Sequence, residues 1–329
     1  MRDCAAVACP THYSDAPPGI ETGLSSMVPL APDTRYRLHG PRDMLELTRL
    51  LYGDIARVGE PYRNFTNPYH RQPHLRYDWT QIHDKKLEAA WDLLPNRGRS
   101  TKLVVEVGSF LGRSSVLIAN WLKRREERLG HAAPPLLCID TWSGDVGMTL
   151  NQIYPVEMGK RNGHATLYQV WLLNVMHANL TDRVLPLVAP SLMGARVLAF
   201  LRMAIDVLYL DSAHEFRETF FELTAYWPLL RPGGLLIGDD FNWRAVSHDV
   251  QLFARVYEVQ LSSFNGCHTR LIARTKSELC VWYLQKPLIE RFKGIVERRP
   301  AMRYWRSDHW SSDHRVGGDR PPAHALGKR

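Results

Sequence analysis

The chain has 329 residues, 45% of them hydrophobic, and a formal net charge of +8 at neutral pH. That length and hydrophobic content favour one large α/β domain with extensions. The sequence has no run of about 18 apolar residues, and residues 1–16 lack the apolar core of a signal peptide. These absences argue against a membrane-spanning or secreted protein and favour a cytoplasmic one.

Cysteine and charge patterns narrow the function classes further. The five cysteines are odd in number and show no CxxC spacing, which favours reduced thiols. Residues 298–329 hold eight basic and three acidic residues, so most of the excess positive charge lies in this C-terminal stretch. Neutralisation of phosphates by Lys and Arg dominates nucleic-acid binding, and concentration of the charge in this stretch weakens the nucleic-acid interpretation of the net charge.

The chain divides into four segments by composition. Residues 1–40 are rich in Pro, Ser, Gly and Thr and are predicted to be a disordered leader. Residues 41–78 form an arm, with a helix predicted over 44–58 and then a mixture of prolines and aromatic residues. Residues 79–297 are predicted to be the main domain, and residues 298–329 a disordered basic tail. Such an arm could exchange between subunits of a homo-oligomer.

Strands and helices alternate through the main domain. This alternation predicts an α/β fold, a doubly wound and mostly parallel seven-stranded sheet, with the last two strands forming an antiparallel hairpin at its edge. The turn at 231–234 precedes the fifth strand. Helices are predicted over 81–94, 113–129, 165–178, 192–203, 215–230 and 246–257, and strands over 103–107, 136–140, 184–188, 206–211, 235–238, 269–273 and 278–284.

A glycine-containing turn follows the first strand. Gly108 and Gly112 allow the backbone to bend sharply and approach a ligand, and the helix that follows offers unpaired N–H groups. The spacing lacks the third glycine of a dinucleotide fingerprint, which disfavours NAD or FAD. Glu106 at the strand end could bind a cationic amine, and Asp140 at the end of the second strand could bind ribose hydroxyls. The pattern suits an amino-acid-bearing nucleoside.

Carboxylates also follow the fourth and fifth strands. Asp211, Asp239 and Asp240 would repel one another unless a cation neutralised them. Magnesium prefers oxygen ligands and retains waters that a hydroxylated substrate can replace, so these residues are predicted to bind Mg²⁺ or another divalent cation. The alternative for Asp239 and Asp240 is an N-cap of the next helix.

His214, three residues after Asp211, is the predicted general base. An unperturbed imidazole has a pKa of about 6.5, so it is available as a base near neutral pH. Asp211 is also predicted to be a catalytic residue. The alternative is a structural histidine at the start of the helix that follows, and His164 is the second candidate for the base.

On these motifs the sequence resembles the class I S-adenosylmethionine-dependent methyltransferases. Residues 208–214 resemble most closely the cation-dependent small-molecule O-methyltransferases, methyltransferase family 24, which include catechol and macrolide-sugar types. The resemblance covers residues 81–284 and implies a Rossmann-like fold with S-adenosyl-L-methionine as cofactor. Catechol enzymes carry Asp-Asn where this chain has Asp239-Asp240, which puts the ligand set in question. The cofactor-binding residues that the resemblance implies are Glu106, Gly108, Ser109 and Gly112 for the methionine end, Asp140 for the ribose, Trp142 and Ser191 for the adenine, and Thr141 beside them.

The function expected from the sequence is methyl transfer from S-adenosylmethionine to a hydroxyl oxygen of a small molecule. Two alternatives remain open at this stage. The same fold could act on or bind RNA or another macromolecule through the basic tail, or it could belong to a relative that does not methylate.

Overall fold

The computed structural model describes residues 38–53, 61–75, 80–150, 152–212, 214–264 and 281–288. The predicted leader up to residue 37 and the basic tail of 298–329 lie outside these residues, as do residues 54–58 of the first predicted helix. Within the described part of the chain, no helix is long and apolar enough to cross a membrane.

Helices and strands alternate as the hydrophobic pattern predicts. Apolar runs of four to six residues form the central strands, and the longer amphipathic segments form helices. The helices are α1 Met44–Tyr52, α2 Asp84–Leu93, α3 Arg113–Leu129, α4 Val146–Thr149, α5 Pro155–Met158, α6 Leu167–His177, α7 Ser191–Phe200, α8 Glu218–Tyr226 and α9 Arg244–Val256, with 3₁₀ turns at Pro95–Gly98 and Trp227–Leu229; the strands are β1 Val104–Val107, β2 Leu136–Asp140, β3 Val184–Val188, β4 Ile205–Leu210, β5 Leu230–Gly238, β6 Leu261–Ser263 and β7 Trp282–Gln285.

The strands of the described residues form one seven-stranded sheet in the order β3-β2-β1-β4-β5-β7-β6. The first five strands in that order are parallel, whereas β7 is antiparallel to both β5 and β6. The predicted fold class is therefore confirmed. Strand order reverses between β1 and β4, and in such sheets ligands bind beyond the carboxyl ends of the strands at that point.

Each face of the sheet is covered by helices. On one face α2, α3 and α6 pack with side chains such as Leu87, Ile118 and Trp171. On the other face α7, α8 and α9 contribute Leu198, Leu223 and Phe253. Because β1 and β4 are buried on both faces, their alternate side chains reach both cores, and the carboxyl-end edge is the place where polar groups can meet a ligand.

The fifth strand differs from its prediction. The turn predicted at 231–234 lies inside β5, which begins at Leu230. The pairing with β4 shifts register there, from Ile205 opposite Leu230 to Val207 opposite Leu235. Gly233, at φ +77°, takes up the irregularity, so the Pro-Gly-Gly signal marks a bulge rather than the end of an element.

The antiparallel edge also differs in its first strand. That strand was predicted at 269–273, which lies outside the described residues, and the structure has β6 earlier, at Leu261–Ser263. The second strand was predicted over 278–284, and β7 occupies Trp282–Gln285. β6 has a short pattern without clear alternation, so periodicity could not identify it.

The arm covers the opposite edge of the sheet. Tyr52 of α1 donates a hydrogen bond to the carbonyl of Pro186, and Tyr62 donates one to the carbonyl of Val184 at 2.8 Å. β3 is the edge strand, and these hydroxyls occupy carbonyls that would otherwise be open to another strand.

Candidate active site

The turn after β1 has the conformation that its glycines predict. Gly108 has φ +85°, and a β-carbon there would lie 1.9 Å from the carbonyl oxygen of Asp211. The turn after β1 therefore packs directly against the residue that follows β4. Gly112 has φ +89° and leaves space for the ring of Trp171 from α6, so its requirement for glycine is explained by packing.

Asp140 ties the end of β2 to this turn. One carboxylate oxygen accepts the backbone N–H groups of Ser109 at 2.7 Å and Phe110 at 2.9 Å, and the other accepts that of Trp142 at 2.6 Å. The predicted ribose acid is thus at the predicted edge, where it also holds the backbone. Thr141 beside it is exposed, and its hydroxyl accepts the N–H of Ser143.

Glu106 lies beneath the turn rather than on its surface. The residue is fully buried, and one carboxylate oxygen accepts hydrogen bonds from the hydroxyls of Ser109, at 2.6 Å, and Ser115. Its other oxygen has no hydrogen-bond partner. Burial raises the pKa of Glu106, and the serine hydroxyls partly oppose this. Glu106 organises the turn from below, and its expected contact with the amine of the cofactor stays a prediction.

The two residues expected at the adenine are placed differently. Trp142 is 2% exposed and packs against Tyr168 and Trp171, with ring centroids 4.9 and 5.1 Å away. These two rings cover the Trp142 ring, and its expected contact with the adenine stays a prediction. Ser191 begins α7 beyond the end of β3, and its carbonyl accepts the hydroxyl of Tyr226 at 2.7 Å.

The ends of β4 and β5 bring three titratable side chains together. Nε2 of His214 lies 2.8 Å from a carboxylate oxygen of Asp240 and 3.9 Å from one of Asp211. Among the described residues, this is the group of three acidic, histidine or cysteine side chains whose ligand atoms all lie within 4.8 Å of one another. We call it the strand-end cluster. The cluster lines a cavity of about 10 Å³, which is about the space that one water molecule needs.

The charged side chains of the strand-end cluster shift one another's pKa values. Burial alone would lower the pKa of His214, but the hydrogen bond to Asp240 and the charge of Asp211 outweigh it and raise that pKa to about 9. Burial, and then the nearby charges of Asp239 and Asp240, raise the pKa of Asp211 well above its usual value. In this arrangement a protonated imidazole neutralises carboxylates that would otherwise repel each other.

Asp239 is not part of the cluster, although it was predicted to be a metal ligand. The residue is 3% exposed, and one oxygen accepts the Tyr209 hydroxyl at 2.8 Å and the N–H of Gln81 at 2.9 Å. Its other oxygen accepts the N–H of Asp240 at 3.0 Å. Adjacent residues leave a strand in different directions, which separates Asp239 from its neighbour.

Sequence reasoning missed two buried polar residues near the cluster. Tyr209 reads as an ordinary strand residue, and Glu222 as a surface position on α8. Glu222 is 3% exposed and accepts the hydroxyl of Ser212 at 2.8 Å; burial raises its pKa to about 7. The available signal was only the spacing of Glu222 on the apolar face of α8. The second candidate base, His164, lies exposed in a turn closed by Arg161.

The strand-end cluster fits a divalent cation in part. Asp211 and Asp240 supply carboxylate oxygens, the ligands that Mg²⁺ prefers, while the imidazole of His214 suits transition metals better. The turn after β1 fits an amino-acid-bearing nucleoside through its backbone geometry and the unpartnered Glu106 oxygen beneath it. Both sites lie at the same edge of the sheet.

Residues 105–241 match the family model described as a methyltransferase domain, Methyltransf_24. This segment runs from the second residue of β1 to three residues past the end of β5 and includes Asp211, His214 and Asp240. A comparison with curated proteins found no match.

Solved structures resemble the chain at low identity. Apo CalS11, a TDP-rhamnose 3′-O-methyltransferase of calicheamicin biosynthesis, is 15% identical with a TM-score of 0.41, covering 61% of this chain and 78% of that one. An O-methyltransferase from Bacillus cereus in complex with SAH is 13% identical with a TM-score of 0.42, covering 64% and 84%. A putative rRNA-methylase from Clostridium thermocellum is 11% identical with a TM-score of 0.39, covering 63% and 98%.

Proposed function

We propose that the chain, whose residues 105–241 match a methyltransferase domain model, is a class I methyltransferase that transfers a methyl group from S-adenosylmethionine to a hydroxyl oxygen of a small molecule at the strand-end cluster. The observation that carries the proposal is the meeting of Asp211, His214 and Asp240 at the same sheet edge as the turn after β1. A donor bound at that turn would lie beside groups able to take a proton.

The donor side is formed by backbone rather than by exposed charge. Asp140 fixes the N–H groups of Ser109 and Phe110, and Gly108 brings the turn against the residue after β4. A rigid turn holds the donor at a fixed distance from the cluster, and such positioning supplies much of the acceleration in a direct displacement. Asp140 retains acceptor capacity for ribose hydroxyls because a carboxylate has about four acceptor sites.

The acceptor side is the strand-end cluster. Asp211 and Asp240 would hold a divalent cation, which supplies positive charge that lowers the pKa of the acceptor hydroxyl and of His214. Neutral His214 would accept the hydroxyl proton at Nδ1, because its Nε2–H donates to the carboxylate of Asp240. Trp243, whose ring centroid is 5.0 Å from that of His214, packs against the imidazole and limits its rotation.

The proposal is tested by following S-adenosylhomocysteine release with a panel of hydroxylated compounds, with and without chelator. We expect release with at least one acceptor, together with a mass gain of one methylene on the compound's oxygen. Chelator should abolish turnover, and added Mg²⁺ or Mn²⁺ should restore it. Undiminished turnover in chelator would remove the cation from the proposal, and methylation at carbon or nitrogen would remove the hydroxyl acceptor.

His214→Asn is the variant that tests the base, with His248→Asn as its matched control. His248 is also paired with an aspartate, its Nδ1 lying 3.0 Å from Asp249, but it is on α9 and outside the cluster. Loss of a general base costs about 10²–10⁴-fold in rate. We expect H214N to lose at least about 10²-fold in kcat and H248N to keep most of its activity; equal losses would contradict the assignment.

The RNA alternative rests on the charge of residues 298–329, which lie outside the described residues. Deletion of this tail distinguishes methylation of a small molecule from action on RNA. A tail-deleted chain that keeps small-molecule methylation but loses low-salt retention on RNA would make the tail an accessory. A chain that methylates RNA and no small molecule would replace the proposal.

A further inference from the structure

A buried chain of hydrogen bonds lies behind the strand-end cluster and has no part in the transfer described above. Tyr209 of β4 is 1% exposed, and its hydroxyl donates to the carboxylate of Asp239 at 2.8 Å. A tyrosine hydroxyl has a single proton, so the 3.0 Å contact with Thr80 is a bond that Thr80 donates to the tyrosine oxygen. The order of donation is therefore Thr80 to Tyr209 to Asp239.

Asp239 is held from several directions at once. Its carboxylate also accepts the N–H of Gln81 at 2.9 Å, and its backbone carbonyl accepts the indole N–H of Trp282 at 2.9 Å. Gly238 makes the second contact possible, because a β-carbon at this position would lie 2.0 Å from the Trp282 ring. Asp239 is thus fixed by groups from β4, β7 and the segment before α2.

The remaining oxygen of Asp239 holds the next residue. It accepts the N–H of Asp240 at 3.0 Å, and Asp240 has φ +56°, a left-handed conformation that is unfavourable for a residue with a β-carbon. The N–H of Trp243 donates to the Asp240 carbonyl at 2.8 Å and fixes the other side of the residue. In this conformation the Asp240 carboxylate lies 2.8 Å from His214.

We infer that Tyr209 is a positioning residue for the transfer: its hydroxyl orients Asp239, which keeps Asp240 in the left-handed conformation that aims its carboxylate at His214. The inference rests on the proposed function, because it assigns a purpose to the alignment of the cluster. It gives Asp239 a role through its neighbour rather than as a ligand of a cation. The Tyr209 hydroxyl is bonded to Thr80 and Asp239, so in the described residues it acts on the cluster through Asp239.

The test compares Tyr209→Phe with Tyr62→Phe. Both tyrosines are buried, and both hydroxyls donate at 2.8 Å, but that of Tyr62 goes to the carbonyl of Val184 in the edge strand β3. Small misplacements of reacting groups cost large factors in rate. We expect Y209F to lower kcat on the order of tenfold while KM for S-adenosylmethionine stays within about twofold, and Y62F to change neither.

A second readout does not depend on turnover. In protein labelled with ¹³C-histidine, the resonance of His214 is identified by its absence in His214→Asn. We expect this resonance to shift in Y209F and to stay at the wild-type position in Y62F. An unchanged resonance and an unchanged kcat in folded Y209F would overturn the inference.

The two readouts also separate this inference from the proposed function. A wild-type chain that methylates no hydroxyl would refute the proposed function, while the resonance would still report whether Tyr209 orients the cluster. If Y209F does not fold, Thr80→Val replaces it, because that change removes the proton donated to the tyrosine oxygen. A shift of the His214 resonance in T80V would support the inference, and a resonance at the wild-type position would overturn it.

Discussion

Three residues with a β-carbon have left-handed backbone directly beyond the strands that form the site. They are Phe110 after β1, Trp142 after β2 and Asp240 after β5, with φ of 44°, 51° and 56°. Such conformations persist only where surrounding contacts enforce them. Here two aspartates do so: Asp140 accepts the N–H of Phe110 and of Trp142, and Asp239 accepts that of Asp240. Both carboxylates shape backbone at the edge where ligands bind.

Gly108 is a position at which a side chain would collide with the backbone of this edge. Gly108→Ala would place a β-carbon against the carbonyl of Asp211 and would hold a strained φ, so we expect a loss of about 3 kcal/mol or more in unfolding free energy. Gly130→Ala is the control, since Gly130 has φ +65° with nothing within 4 Å of the added carbon. It should cost about 1–2 kcal/mol. Urea unfolding of both variants measures the difference, and equal losses would show that the contact with Asp211 is not a constraint.

Glu222 is a buried acid whose charge state changes near neutral pH. Burial raises its pKa from 4.5 to about 7, against hydrogen bonds from Ser191 and Ser212 that lower it. The folded chain therefore holds this proton more tightly than the unfolded chain. The resulting stability is fully present below about pH 4.5 and is lost as pH rises through about 7.

Glu222→Gln should remove this pH dependence because the amide stays neutral. Relative to wild type, E222Q should gain about 3 kcal/mol of stability between pH 4.5 and pH 8, from a shift of about 2.5 units at 1.36 kcal/mol each. Glu127→Gln on the exposed side of α3 is the control and should run parallel to wild type, since the charge of Glu127 is not among the causes of the Glu222 shift. Denaturant unfolding at several pH values tests this; a constant offset between E222Q and wild type would show that Glu222 titrates normally.

At the scale of elements, regular hydrophobic patterns correctly predicted where several helices and strands begin and end. α3, β2 and β3 have the predicted bounds, because each is a continuous periodic or apolar run between clear breakers. The prediction was wrong at β5, where the Pro-Gly-Gly sequence forms a bulge within the strand. Local signals of a turn and of a bulge are the same, and only pairing with β4 distinguishes them.

The candidate site was predictable to the level of the strand ends but not of individual side-chain directions. The sequence places Asp211, His214 and Asp240 at adjacent strand ends, and the structure brings them together. The sequence could not show that Asp239 and Asp240 have different roles, because the hydrogen-bond partner of Asp239 is Tyr209 on another strand. Trp142 is buried for a similar reason: Tyr168 and Trp171 reach it from α6, which no local pattern reveals.

At the scale of the whole sheet, aspartates accept backbone N–H groups at both ends of the strands. Asp206, in the first half of β4, accepts the N–H groups of Lys102 at 2.8 Å and Leu103 at 3.0 Å, where the chain enters β1. Asp140 makes the equivalent contacts at the end of β2. Both aspartates bind backbone N–H groups in the same way, but only Asp140 lies at the carboxyl ends of the strands, where ligands bind in such sheets. Substitution of either residue should therefore lower stability similarly, whereas only substitution of Asp140 should weaken cofactor binding.

Asp140→Asn and Asp206→Asn make this comparison directly. Both should lower the melting temperature, since an amide nitrogen replaces an oxygen beside N–H donors. S-adenosylmethionine at about 100 times its Kd stabilises a folded protein by about 2.7 kcal/mol, which is roughly 5–10 °C for a domain of this size. We expect wild type and D206N to show this rise and D140N to show less than about 2 °C in a thermal-shift assay. A full rise in D140N would mean that the turn after β1 binds the donor without this carboxylate, whereas loss of the rise in D206N would mean that the cofactor edge depends on the opposite end of the sheet.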